Sequence, residues 1–207
     1  MIIVHHLNNS RSQRILWMLE ELATPYEVRR YERDRKTMLA PPSLRALPPL
    51  GKSPMVEMDG RVLVESGAIV EYLVDAADGK LGPSDDMDER LRYRMFLHYA
   101  EGSVMPPLLV KLVLSRVPIM GRLAIRQIQP MIDRHLDFIE DELGQRPWFA
   151  GNEMTAADIM MSFPLEAATA RGGLDERRPN TMAWLKKIHA RPAYQRALAA
   201  GGPYAYA

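Results

Sequence analysis

Lys52, Ser53, Glu65 and Ser66 stand at the two ends of one short stretch, Gly-Lys-Ser-Pro-Met-Val-Glu-Met-Asp-Gly-Arg-Val-Leu-Val-Glu-Ser, over residues 51–66. Between them, Asp59-Gly60 is a turn signal, because a two-residue type I′ hairpin needs positive φ at both central positions. The flanks, 55–58 and 61–64, are apolar-rich runs of strand length. Ser66 opens a helical pattern of Ala68, Ile69, Tyr72, Leu73 and Ala76, spaced at three and four residues. A serine there is expected to cap the helix, and a helix N-terminus attracts carboxylates through unpaired N–H groups and its dipole. Glu65 can hold an ammonium while Ser66 and the helix start hold a carboxylate. Together they suit the head group of an α-amino acid.

Composition narrows the chemistry. Lys and Arg total 27 against 26 Asp and Glu, a net charge of +1 over 207 residues. That balance argues against a nucleic-acid surface, which needs a basic stripe. No apolar run approaches the ~20 residues of a membrane span. The Met-Ile-Ile-Val-His-His start is too short and uncharged for a signal peptide, so a cytoplasmic protein is expected. Cysteine is absent. Protein disulfides and thiolate metal sites are excluded, and any reacting sulfur must arrive with a ligand.

The elements that position these residues read as follows. Ile2 to His5 is a first strand. A helix follows with Ile15, Leu16, Leu19 and Leu22 on one stripe, stopped by Thr24-Pro25. Tyr26 to Tyr31 is a second strand, and 32–50 is a charged, then proline-rich, irregular segment with one short helix. With the hairpin and its helix, the first unit is ordered β-α-β-(α)-β-β-α. Residues 76–86 form a linker. The remainder is helical: a long helix over 86–115, expected to bend at Met105-Pro106-Pro107, a helix near 119–143, and two shorter ones near 179–190 and 192–200. Thr155-Ala-Ala-Asp158 is a capping-box variant at the start of a further helix.

Three motifs in order carry a family resemblance: Leu47-Pro-Pro-Leu-Gly-Lys-Ser-Pro-Met, Val64-Glu-Ser-Gly-Ala-Ile and Phe149-Ala-Gly-Asn-Glu-Met-Thr-Ala-Ala-Asp-Ile. The chain resembles the cytosolic glutathione S-transferases over essentially its whole length. Leu7-Asn-Asn-Ser-Arg-Ser-Gln-Arg-Ile-Leu-Trp with Leu19-Glu-Glu-Leu is similar to their serine-type bacterial and fungal branch. The resemblance implies an α/β thioredoxin-like domain over 1–78 that binds glutathione, and an all-α domain over 86–207 that forms the electrophile site. It implies a cis bond before Pro54, strand-like pairing of the Ser53 backbone with the cysteinyl part of glutathione, a γ-glutamyl clamp at Glu65 and Ser66, and Lys52 near the glycyl carboxylate. It also implies a homodimer.

Family members bind the glutathione sulfur through a Tyr, Ser or Cys after the first strand. No Tyr precedes Tyr26, so the resemblance leaves Ser10, Ser12 and Asn9, of which Ser10 fits best where strand gives way to helix. The bland alternative is that Ser10 merely caps that helix. An unperturbed thiol titrates near ~8.5, so lowering it by ~2 units needs ~2.7 kcal/mol of preference for the anion. One charge-assisted hydrogen bond and a helix terminus supply that much.

Other groups read as structural. His5 and His6 are strand neighbours pointing to opposite faces, and His98, His135 and His189 lack partners at helical spacing, so no metal is expected. The polar run from His98 to Ser103 is either a solvated face or a cleft-facing cluster at Tyr99, Glu101 or Ser103. The reading is a glutathione transferase that activates the thiol for attack on a small hydrophobic electrophile or hydroperoxide, without metal. A glutathione-dependent isomerase or reductase, and a noncatalytic binding module, are the alternatives.

Overall fold

The computed structural model describes residues 1–206, which divide into two compact units: 1–82 together with 189–205, and 83–188 together with Tyr206. The first unit holds a four-stranded mixed sheet in the order β2-β1-β3-β4. β1 (Ile2–Leu7) runs parallel to β2 (Tyr26–Tyr31) and antiparallel to β3 (Met55–Met58), which pairs with β4 (Arg61–Val64). The β1–β2 connection carries α1 (Ser12–Leu22), as a parallel crossover requires. Every residue of β1 is buried, because the strand is central and covered on both faces. The β3–β4 turn has φ of 52° at Asp59 and 75° at Gly60, the positive pair the sequence predicts for a type I′ hairpin. α2 (Pro42–Arg45) is one short turn, and α3 (Ser66–Ala76) follows β4 directly.

The last helix, α9 (Pro192–Gly201), is far from the sheet in sequence but packs against α1. Tyr194 meets Trp17 edge-on, and Arg191 and Arg196 bond Glu21 and Glu20. A Cβ on Gly201 would lie 2.7 Å from Gln13 Oε1 and 3.2 Å from His6 Cε1. A larger residue here would push on the side chains of α1 and β1.

The second unit is helical: α4 (Met87–Tyr99), a π-helical turn over Ala100–Val104, α5 (Met105–Leu114), α6 (Met120–Gln145), α7 (Ala156–Arg171) and α8 (Pro179–His189). The long helix expected over 86–115 is interrupted just before Met105-Pro106-Pro107, by the π-helical turn. Pro106 and Pro107 have no N–H to return to the carbonyls of Gly102 and Ser103, so the preceding turn widens while the prolines sit in the first turn of α5. At the start of α7 the buried Asp158 carboxylate accepts from Thr155 N–H (2.9 Å), Thr155 Oγ1 (3.2 Å), Phe149 N–H (3.1 Å) and Trp184 Nε1 (3.3 Å). This is the capping box read from the sequence, tying the 147–155 loop and α8 to α7. Among the described residues no helix is long and apolar enough to cross a membrane.

Candidate functional site

The first unit gathers polar side chains where β1 ends, where the 45–54 loop enters β3, and where β4 hands over to α3. Gly51 has φ +57°, and a Cβ there would fall 2.3 Å from the Arg45 carbonyl oxygen. A glycine is therefore required to turn the loop into Lys52 and Ser53. The Ser53–Pro54 bond is cis, as is Pro48–Pro49. Ser53 Oγ donates to the His5 carbonyl at 2.9 Å and accepts from Leu7 N–H at 3.2 Å, which seats the loop on the end of β1. Lys52 is exposed, and Pro54 is buried.

Ser10 lies between β1 and α1, only 5% exposed. Its Oγ is 2.9 Å from Ser12 Oγ and 3.4 Å from Ser53 Oγ, and it accepts from Ser12 N–H at 3.3 Å. It thus caps the first turn of α1 in part while lying beside Ser53, so the cap and the ligand contact are compatible roles. Ser12 is fully buried and bonds His6 Nδ1 at 2.9 Å. Asn9 turns elsewhere: with φ 51°, its Oδ1 accepts from Ala205 N–H at 2.8 Å. The neighbouring histidines also part company. His5 Nε2 bonds Glu57 Oε1 at 2.7 Å and its Nδ1 bonds the Tyr31 hydroxyl at 2.9 Å, while His6 faces α1.

At the β4–α3 junction the residue in the cap position is Glu65, with no side-chain cap bond, and Ser66 is the first helical residue. The expectation that the Ser66 hydroxyl caps α3 is therefore corrected. Its Oγ instead accepts from Arg14 Nη2 at 3.0 Å. A helix leaves its first N–H groups without intrahelical partners, and no side chain caps them from the Glu65 position. Glu65 is exposed and has φ 68°, ψ 120°, outside the left-handed helical well. A non-glycine backbone held there costs ~1–3 kcal/mol, and such residues cluster at ligand clamps.

Arg14 and His6 are the site residues that the sequence reading missed. Both are buried, Arg14 at 1% and His6 at 2%. Arg14 occupies the stripe beside Ile15, and a charged residue on the inner face of an amphipathic helix is the signal that could have exposed it. It places a guanidinium beneath the start of α3, where an anion would sit. His6 is held neutral: burial, then the charge of Arg30, lower its pKa to about 4, against a raising bond from the Gly201 backbone.

Comparison with known proteins shows the family. Residues 1–75 match the glutathione S-transferase N-terminal domain and residues 123–187 the C-terminal domain. Glutathione S-transferase 3 of Schizosaccharomyces pombe is 39% identical, over 93% of this chain and 85% of that protein. Glutathione S-transferase 1 of Saccharomyces cerevisiae is 33% identical, over 93% and 92%. A glutathione S-transferase structure from Actinobacillus pleuropneumoniae superposes with a TM-score of 0.89 at 30% identity, covering 100% of this chain and 95% of its own. A sphingomonad glutathione S-transferase complexed with glutathione gives 0.77 at 26% identity, over 97% and 98%. The chain belongs to the glutathione S-transferase family, with a thioredoxin-like sheet unit and a helical C-terminal unit.

Proposed function

We propose that this protein binds glutathione on its first unit and ionises the thiol for attack on a small hydrophobic electrophile or a hydroperoxide. The observation that carries the reading is the approach of Ser10 Oγ to Ser53 Oγ at 3.4 Å, beside the cis Ser53–Pro54 bond. It puts a helix-start hydroxyl next to the loop whose backbone would hold the cysteinyl residue. In this reading Glu65 takes the γ-glutamyl ammonium. Ser66 and the first N–H groups of α3 take its carboxylate, with the Arg14 charge beneath. Lys52 reaches the glycyl carboxylate, and the helical unit supplies the electrophile side. Ser10 donates to the sulfur, and the rate gain comes from thiolate stabilisation and from holding two reactants together. A cytoplasmic homodimer belongs to the same proposal.

Calorimetry with glutathione, combined with turnover on a panel of aryl halides, enones and organic hydroperoxides, tests it. The expected result is saturable glutathione binding and turnover with at least one class. Failure of glutathione both to bind and to protect against heat would overturn it, since any ligand of the folded state must raise stability. Binding without turnover on any class would favour the noncatalytic module.

A further inference from the structure

Three side chains in the first unit form a line that the proposed chemistry does not use in full: His6, Ser12 and Ser10. Ser12 Oγ is 2.9 Å from His6 Nδ1 and 2.9 Å from Ser10 Oγ, and all three residues are buried. The direction of each proton along this line follows from the far end. The His6 ring lies beside Gly201, whose backbone raises the ring's pKa, as a carbonyl does when the imidazole donates to it. Burial, then Arg30 on β2, keep that imidazole neutral near pH 7. A neutral imidazole has one donor and one acceptor, and Nδ1 is the one left to accept. Ser12 O–H then donates to Nδ1 at 2.9 Å in preference to the Leu7 carbonyl at 3.4 Å, which leaves Ser12 Oγ to accept from Ser10.

The other contact of Ser10 agrees. Ser53 O–H is already given to the His5 carbonyl, so with Ser10 O–H given to Ser12 no proton lies between Ser10 and Ser53. Their oxygens stand 3.4 Å apart, long for an O–H···O bond, against 2.9 Å for Ser10 and Ser12.

We propose that His6 and Ser12 are positioning residues that turn the Ser10 hydroxyl inward, so that the free protein offers an arriving thiol the lone pairs of Ser10 and not its proton. The inference rests on the reading of Ser10 as the sulfur contact and adds a directional constraint to it. The thiol S–H first donates to Ser10 Oγ. On ionisation that proton leaves to water, and the Ser10 hydroxyl swings from Ser12 to the sulfur, leaving Ser12 Oγ without a donor. No heavy-atom bond forms or breaks. The line ends in a neutral ring whose protonation is disfavoured, so it sets direction and is not a proton sink. Thiolate formation thus carries the loss of one buried hydrogen bond, a brake built into the fold.

The test is ultraviolet titration of bound glutathione in the wild type, Ser12→Ala, His6→Leu and Ser10→Ala. The chain has no cysteine, so the glutathione thiol is the only thiol present. Ser12→Ala removes the inward acceptor. His6→Leu removes the nearer acceptor of Ser12, leaving the Leu7 carbonyl at 3.4 Å and Ser10 to compete for its proton, so Ser12→Ala is the deciding variant and His6→Leu shifts the pKa in the same direction by no more. Ser12→Ala should lower the thiol pKa by about 0.5–1 unit, giving about three- to tenfold more thiolate on the acid side, with the acid limb of kcat/KM moving equally. Adding Ser10→Ala to either should abolish the gain. An unchanged or raised thiol pKa in Ser12→Ala, while Ser10→Ala still raises it, would overturn the inward orientation and leave the Ser10 reading intact. A thiol pKa unmoved by Ser10→Ala would remove the Ser10 reading and this inference with it.

Discussion

Arg14 Nη2, on α1, donates to Ser66 Oγ at the start of α3 across 3.0 Å, and both residues are buried. The bond joins residues 52 apart in sequence and fixes the hydroxyl to which, in the proposed reading, a ligand carboxylate comes. Ser66→Ala should therefore do two things at once. It leaves a buried charged donor short of an acceptor, costing ~1–3 kcal/mol of stability, and it weakens glutathione binding. Glu65→Gln should weaken binding more, by ~2–4 kcal/mol as the ammonium loses its counter-charge, with little change in stability because Glu65 is exposed. Calorimetry and urea unfolding separate the two. Unchanged glutathione affinity in both variants would remove the clamp.

Asp158 gives a stability prediction with a sign. Burial pushes its pKa up from 3.8 to about 6, against the bonds from Thr155, Phe149 and Trp184. A folded pKa above the unfolded one means that the native state binds the extra proton. This group's contribution is full below pH 3.8 and falls as pH rises through 6, by on the order of 3 kcal/mol. Asp158→Asn should flatten the stability–pH curve of the helical unit between about pH 4 and 6. It should also lower stability throughout, since the amide can replace only one accepting oxygen. Urea midpoints at several pH values check this, and an unchanged slope would contradict it.

His6 acts in the opposite sense. Its pKa is lowered from 6.5 to about 4, by burial first and Arg30 second. Its unfolded form therefore binds the proton that the native form refuses. The stability it confers is present above pH 6.5 and is lost as pH falls through 4, so the first unit should weaken in acid. His6→Leu should remove that acid sensitivity, read as a smaller loss of melting temperature between pH 7 and 4.5. Equal losses in both proteins would contradict the assignment.

The homodimer is testable by light scattering, which should report twice the 23.5 kDa of one chain. On α4, Met87, Leu91 and Met95 are exposed at four-residue steps, one apolar face that a two-fold axis could cover. Leu91→Asp should shift the mass toward one chain. A wild-type mass of 23.5 kDa at micromolar concentration would contradict the dimer.

What the sequence made legible was local. Tyr26–Tyr31, Met55–Met58 and Arg61–Val64 have the expected bounds because alternation and Asp59-Gly60 act within a few residues. The capping box at Thr155 was readable for the same reason. Long-range contacts left weaker traces. Ser66 looks like a cap because serine at a helix start usually is one, but Arg14 from another helix claims its hydroxyl. The π-helical turn before Met105-Pro106-Pro107 was not legible, because missing N–H groups disturb the carbonyls before them. α6, by contrast, runs from Met120 to Gln145 through Pro130, close to the expected 119–143. His6 carried no motif at all; its meaning comes from Ser12 and Gly201, brought together only by the fold.

The proposed chemistry rests on Ser10 stabilising a thiolate. Ultraviolet titration of glutathione bound to wild type and to Ser10→Ala tests it most directly. The variant should raise the bound thiol pKa toward its free value. Turnover at neutral pH should drop by roughly 10- to 150-fold, the equivalent of ~1.5–3 kcal/mol for one charge-assisted bond, and glutathione affinity should change little. A full-strength thiolate signal near pH 7 in Ser10→Ala would contradict it.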